Sequence, residues 1–228
     1  SVYFNSIYTF HTKICRLLDL KRYWINYINS GDITILHKEI NFSKAEISIK
    51  NKKFQYFCSP TLCRHKFKHG FFTKSISEKY LPILSDYFNK NYENCILNQI
   101  HSNKIVFGST TQRENKIEAD GLICNKFNQN LWIYTADCMP ILFADKRKRV
   151  VAAIHCGRKG LEKRIIRNLI KVFDRIGSLR EDLLVAIGPS ISKSNYLIDK
   201  KTLQEFYKKV ENNGITNTSK NKENIFNL

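Results

Sequence analysis

Three side chains in this sequence have metal-binding chemistry in short structured contexts. They are His101 in Asn98-Gln99-Ile100-His101, Cys138 in Thr135-Ala136-Asp137-Cys138, and His155 in Ala153-Ile154-His155-Cys156-Gly157. Two imidazole nitrogens and one thiolate make a three-ligand set for zinc that leaves a fourth position for water or substrate. Closed structural zinc sites use four protein ligands, so this set has the catalytic pattern. Two of the three stand at the exits of strongly apolar runs. A strand end is held by a rigid scaffold yet reaches solvent, and chemistry is usually placed there. Each residue alone has a plainer reading. A single His at a strand end is more often a hydrogen-bonded structural residue, and a Cys after Ala-Asp is usually a small core side chain. The combination is more specific, because Cys138 and His155 both follow apolar runs and both precede a nearby Pro140 or Gly157.

The elements that must position these residues are legible in the hydrophobic pattern. Leu131–Ala136, Ile141–Ala144 and Val150–Ile154 are compact apolar runs that predict three strands. Cys95–Ile100 predicts a strand ending at His101, with Lys104–Gly108 continuing beyond it, and Ala119–Cys124 predicts a turn feeding another strand. Leu161, Ile165, Ile166, Leu169, Ile170, Phe173 and Ile176 keep helical spacing and predict one helix from Leu161 to Ile176. Its Arg164, Arg167, Lys171 and Arg175 fall on the solvated face, and Gly177 is a natural terminator. Leu183–Ile187 returns as a strand, and a second helix is expected near Lys201–Val210, before a polar tail. Upstream, a short strand from Phe54 leads into His69–Lys74, and a helix follows around Ser77–Asn89. Residues 1–50 hold strand-like segments, Asp32–Leu36 and Ala45–Ile49, but no chemical motif. They are read as an N-terminal extension to a catalytic domain over 51–228. The sequence begins without Met, which reads as a fragment or as added sequence. Strands mixed with helices on this scale predict an α/β (α+β) fold.

Composition narrows the function classes. A hydrophobic share of 43% supports a real core and argues against global disorder. No apolar run reaches the ~18–20 residues of a membrane helix, and no signal-peptide pattern opens the chain. A cytoplasmic protein without a membrane partner is expected. Seven cysteines, an odd number without a repeating framework, point to a reducing compartment. Cys58, Cys63 and His65 are too loosely spaced for a zinc motif and read as ordinary side chains. The net charge of +18 raises the question of nucleic acid, but its lysines are scattered and no nucleic-acid motif accompanies them, so none is expected as partner. Lys146–Arg149, the densest basic run, lies between two apolar strands and reads as a solvated hairpin turn.

Five stretches, Gln99–His101, Ala119–Leu122, Thr135–Pro140, His155–Gly160 and Gly188–Ile191, follow one another in a recognisable order. The order is Gln-x-His, Ala-Asp-Gly-Leu, Ser/Thr-Ala-Asp-Cys-x-Pro, His-x-Gly-x-x-Gly, a helix, then Gly-Pro-x-Ile. It resembles the YfiH-like family, whose members have been called multicopper polyphenol oxidases, peptidoglycan editing factors and purine nucleoside phosphorylases. His69–Lys74 is similar to the family's upstream His-Gly-Phe-x-Thr-Arg. The resemblance runs from about residue 54 to the end. It implies a layered α/β/β/α sandwich, distantly related to toxin-type cysteine deamidases, with zinc on His101, Cys138 and His155. It also implies phosphorolysis of adenosine, inosine, guanosine and methylthioadenosine, and deamination of adenosine, with purine nucleosides and phosphate as partners.

Deamination needs a proton carrier and a group that orients the ring, for which Asp120 and Asp137 are the nearest candidates beside Cys138. The plain readings are a turn residue for Asp120 and a turn cap or ligand-orienting group for Asp137. Lys74, Arg158 and Lys159 are candidate cations for phosphate. The chain departs from the family pattern in three places. Arg158 stands where the family has Trp, Lys74 replaces an Arg and so offers a point charge in place of a fork, and the family continues past Asn227-Leu228. Truncation at the C-terminus is therefore expected. Three rival functions remain: a metal-free hydrolase or deamidase with Cys138 as nucleophile and His155 or His101 as base, a copper oxidase, and a non-catalytic binder. Zinc is preferred over copper, because Met139 is the only Met and no multi-His cluster is present.

Overall fold

Strand alternation explains the architecture of the computed structural model, which describes residues 3–8, 37–39, 42–49, 52–73, 80–88, 92–111, 116–191 and 195–211. Two six-stranded sheets form. The first joins β3 (Ser43–Ile49), β4 (Lys52–Cys58), β5 (Phe71–Phe72), β1 (Tyr3–Tyr8), β9 (Gln129–Thr135) and β6 (Glu93–Cys95), in that spatial order. The second joins β2 (His37–Glu39), β12 (Leu183–Ile187), β10 (Met139–Asp145), β11 (Val151–Cys156), β8 (Gly121–Ile123) and β7 (Ile105–Phe107).

Successive side chains of a strand point to opposite faces. In β9, Leu131 and Ile133 join Leu142 and Ala144 of β10 and Val151 and Ala153 of β11 in one buried cluster between the sheets. Trp132 points the other way, into a cluster with Phe72 of β5 and with Leu81 and Leu84 of α2 (Leu81–Phe88). Asn130, on that same outer face, donates from Nδ2 to Ser85 Oγ at 2.7 Å. On the second sheet, Phe143 of β10 meets Phe173 of α4 (Ile165–Arg175), ring centroids 6.2 Å apart. Helix, sheet, sheet, helix is the result, and the fold is the expected α/β (α+β) sandwich. Strands β10 and β11 are buried on both faces, so their sequences read as unbroken apolar runs, without alternation.

The predicted hairpin turn at Lys146–Arg149 forms between β10 and β11. Asp145 Oδ1 accepts the backbone N–H groups of Arg147 and Lys148, both at 2.8 Å. The expected single helix over 161–176 is instead two, α3 (Arg158–Glu162) and α4, separated by Arg164 in the left-handed region at φ 63°. Asn103 Nδ2 donates to the carbonyl of Lys163 at the break, and Asn168 Nδ2 donates to Asn103 O at 3.1 Å. These tertiary bonds hold a conformation that local propensity alone disfavours for a residue with a Cβ. Cys95–Ile100 is likewise shorter than expected, being strand only to Cys95, with a lone bridge at Asn98. Asp32–Leu36 and the polar tail beyond residue 211 lie outside the described residues.

The chain divides into two compact units. Residues 1–11 and 35–190 form the first, which contains both sheets; residues 12–34 and 191–228 form the second. In the second unit the described element is α5 (Lys200–Glu211), capped by Asp199, whose carboxylate accepts Thr202 N–H at 2.8 Å and Thr202 O–H at 2.6 Å. Among the described residues no helix is long and apolar enough to cross a membrane.

Candidate metal centre

Strand register brings together residues far apart in sequence. Strand β8 runs antiparallel to β11, with Leu122 opposite Ala153 and Gly121 opposite Ile154. One step further, Asp120 stands opposite His155, whose backbone N–H donates to Asp120 O at 2.8 Å. Their side chains therefore share a face. His155 Nδ1 lies 2.7 Å from Asp120 Oδ1, and both residues are buried. With the proton on Nδ1 and donated to the carboxylate, the Nε2 lone pair is left for a metal.

The hairpin places the thiol. Met139 pairs with Cys156 across β10 and β11, so Cys138 comes opposite Gly157. A Cβ at Gly157 would sit 2.5 Å from Cys138 Sγ and 3.5 Å from His101 Cδ2. The glycine is there to leave room for the thiol and the second imidazole.

His101 arrives on a loop gathered around Asp120. The N–H groups of Ile100, His101 and Ser102 donate to its carboxylate at 3.3, 3.0 and 2.6 Å, and Ser102 Oγ adds a fourth bond at 2.7 Å. His101 itself adopts φ 57°, which turns its side chain over the site. Its Nε2 lies 3.9 Å from Cys138 Sγ, against about 3.5 Å for two tetrahedral ligands of one zinc. The rings of His101 and His155 are edge to face with centroids 4.7 Å apart. One ligand atom from each of the three residues lies within 4.8 Å of the others, and among the described residues no second group of this kind occurs.

The electrostatics follow from this packing. Burial by itself raises the Asp120 pKa, but the hydrogen bonds from His155 and Ser102 outweigh it and hold the carboxyl at about 2. Burial by itself lowers the His155 pKa, whereas Asp120 on one side and Cys138 on the other raise it to about 9. His101 is lowered by burial and by the neighbouring charge of His155, with Lys159 and Lys163 acting in the same direction.

The other sequence candidates are less central. Asp137 is exposed in the bend between β9 and β10, one residue from Cys138. Arg158, at the start of α3, is ion-paired with Glu162 one turn on. Lys159 is exposed on the same short helix, near enough to His101 for its charge to act there. Lys74 lies outside the described residues. His69, in the upstream motif, is a structural histidine: its Nδ1 meets Phe67 O at 2.9 Å and its Nε2 accepts Ser59 N–H at 2.7 Å. Met139 is buried in β10, on the strand face that carries Ile141 and Phe143.

Several contributors were given no role from sequence, although Gln99 belongs to the Gln-x-His motif. Ser102 follows His101 directly, and that adjacency was the available signal. Gln99 clamps Tyr134 of β9 through both amide atoms, donating to its carbonyl at 2.7 Å and accepting its N–H at 2.8 Å. Lys163 donates from Nζ to His101 O at 3.3 Å. No local signal marks Lys163 or Asn103, because their partners are about 60 residues away in the chain.

Comparison with known proteins adds a second line of observation. Residues 75–228 match the family model described as multi-copper polyphenol oxidoreductase laccase. A protein of Rickettsia prowazekii named purine nucleoside phosphorylase RP494 is 29% identical over 179 residues, covering 78% of this chain and 69% of that protein. Purine nucleoside phosphorylase RC0672 of Rickettsia conorii is 36% identical over 133 residues, covering 57% and 52%. The matched stretch thus spans about half the length of several of its curated relatives. Among solved structures, Neisseria meningitidis protein NMB0706 superposes with a TM-score of 0.54 at 18% identity, covering 80% of this chain and 76% of that one. That likeness concerns the fold.

Proposed function

Because this chain belongs to the multi-copper polyphenol oxidoreductase laccase family, the YfiH-like family of its motif order, we propose that it is a zinc-dependent purine nucleoside phosphorylase. In this reading it cleaves adenosine, inosine, guanosine and methylthioadenosine with phosphate and also deaminates adenosine. The observation that carries the proposal is the convergence of His101, Cys138 and His155 on one point, backed by a buried carboxylate. The names of the curated relatives support the nucleoside substrate. The donor set fits zinc: two imidazoles and one thiolate, with the thiol given space by Gly157. Zinc held there supplies Lewis-acid activation of water and substrate.

The chain's own residues do the rest. Asp120 fixes the tautomer and angle of His155 and, through three backbone N–H groups, the loop that presents His101. With its lone pairs so engaged and its pKa at about 2, it is a positioning group and is unsuited to carry a proton. That role falls to Asp137, exposed beside Cys138 and in exchange with solvent. Lys159 and Lys163 concentrate positive charge at the His101 rim, where an attacking phosphate is bound, and Arg158 lines the start of the same helix. Lys74 serves as a further phosphate cation. In phosphorolysis a phosphate oxygen bonds to ribose C1′ as the C1′–N bond breaks, and the bond electrons leave with the purine. In deamination water adds at C6 of adenine and ammonia leaves.

Chromatography of inosine and adenosine reactions tests the reading. Hypoxanthine and ribose 1-phosphate from inosine are expected only with phosphate present, and inosine from adenosine without it. Turnover unchanged when each of His101, Cys138 and His155 is replaced by Ala would overturn the proposal.

A second reading rests on the line Asp120, His155, Cys138, in which a carboxylate orients an imidazole that stands beside a thiol. That arrangement can activate a thiol nucleophile without metal. Activity that persists in metal-free protein and is abolished by alkylation of Cys138 would favour it over the zinc enzyme.

A further inference from the structure

A cavity of about 510 Å³, none of whose lining residues belongs to the metal set, opens beside β4 and α2. Cys138 precedes strand β10 and the 146–149 turn follows it, a span of about 20 Å for this strand length. The turn reaches the cavity wall through Arg149, whose guanidinium lies 3.7 Å over the ring of Phe67 and donates to the carbonyls of His65 and Lys66 at 2.8 and 3.1 Å.

The wall is held in place before any ligand arrives. Lys66 stands in the left-handed region at φ 60°, fixed by its own N–H to Cys63 O at 2.8 Å and by Phe67 N–H to Leu62 O at 2.9 Å. His69 is pinned at both ring nitrogens, and Ser59, which it pins, caps α1 (Pro60–Arg64) through Leu62 N–H at 3.2 Å. Strain of this kind persists only where surrounding bonds over-determine it.

Its lining has a definite chemistry. Two aromatic rings, Tyr56 and Tyr87, provide flat apolar surface, two thiols, Cys58 and Cys63, add soft polarizable atoms, and Phe67, whose ring is buried under Arg149, closes the floor. Lys66 and Lys68, both exposed, add positive charge to the lining. Burial first, and then Tyr87 and the two thiols, push the Tyr56 phenol up to about 12, so it remains neutral. The volume suits a ligand of small-molecule size, within the roughly 300–1,000 Å³ of such sites.

We infer that this cavity is a second ligand site, taking a planar aromatic ring that carries an anionic group. The ring lies against Tyr56 and Tyr87, and the anion meets Lys66 and Lys68. The inference does not depend on the nucleoside chemistry proposed for the metal centre.

The test uses zinc-loaded full chain and 2-naphthoate as probe. Maleimide labelling of Cys63, followed by mass spectrometry, is expected to slow in proportion to occupancy, while labelling at Cys138 does not change. Naphthalene-2-methanol, the same ring without charge, is expected to bind at least about tenfold more weakly, as is 2-naphthoate to the double variant Lys66→Glu, Lys68→Glu. Tyr87→Ala, at a residue 53% exposed, provides a second variant with the same expected direction, its fold checked by circular dichroism. Unslowed labelling of Cys63, equal binding of the neutral ring, or equal affinity in the charge-reversed and Tyr87 variants would each overturn the inference.

Discussion

At the scale of single residues, Asp120 does more than its plain reading as a turn residue suggested. It accepts from Ile100, His101 and Ser102 backbones, from the Ser102 hydroxyl and from His155, so one buried carboxylate sets both imidazoles. Asp120→Asn keeps the shape but cannot accept every one of these donors. It is expected to weaken zinc binding about 10–100-fold in competition with a chromophoric chelator, whereas an unaltered affinity would deny the positioning role. Gly157→Ala places a methyl 2.5 Å from the Cys138 sulfur. Overpacking of that order costs about 1–3 kcal/mol. The metal set should therefore loosen and turnover fall at least about tenfold, with little change in the far-UV circular dichroism. The thiols provide a third check. Burial pushes Cys95 and Cys124 up to about 11, so alkylation near pH 8 should spare them while reaching exposed Cys63 and half-buried Cys138. Zinc should protect Cys138 and leave Cys63 reactive; protection of neither would remove Cys138 from the ligand set. The residue types of this site were readable from sequence. The role of Asp120 was not, because it depends on a cross-strand pairing between positions 35 apart.

At the scale of elements, the legible parts are those whose burial is uniform. Strands β10, β11 and β12 are covered on both faces, and their apolar runs could be read directly. The helix near 161–176 was visible as a periodic stripe, but its break was not. Arg164 adopts a conformation usually signalled by Gly, and bonds from Asn103 and Asn168 sustain the neighbouring turn. The break has a use: α3 starts beside the thiol at Gly157, while α4 is free to bury Ile166, Leu169 and Phe173 against the sheet. Phe173→Ala should destabilise the fold by about 3–5 kcal/mol in denaturant unfolding, without altering zinc stoichiometry in the folded fraction. A loss well below about 1 kcal/mol would mean that α4 is not part of the core.

At the scale of the whole molecule, the hairpin of the second sheet takes part in both regions, the metal centre and the cavity. Cys138 and His155 stand at the strand ends, and Arg149 in the turn braces the aromatic cavity. Composition was informative about the presence of a core and much less so about partners, because a charge of +18 is spread along the chain and does not by itself mark a surface. The family assignment was carried by ordered motifs, and the geometry behind those motifs required the folded chain. The central claim is that His101, Cys138 and His155 hold one metal ion, and elemental analysis addresses it directly. Purified protein stripped with chelator and reloaded should contain about one zinc per chain, and the variant His101→Ala, Cys138→Ala, His155→Ala close to none. Zinc retained by that triple variant, or absent from the reloaded native chain, would contradict the account.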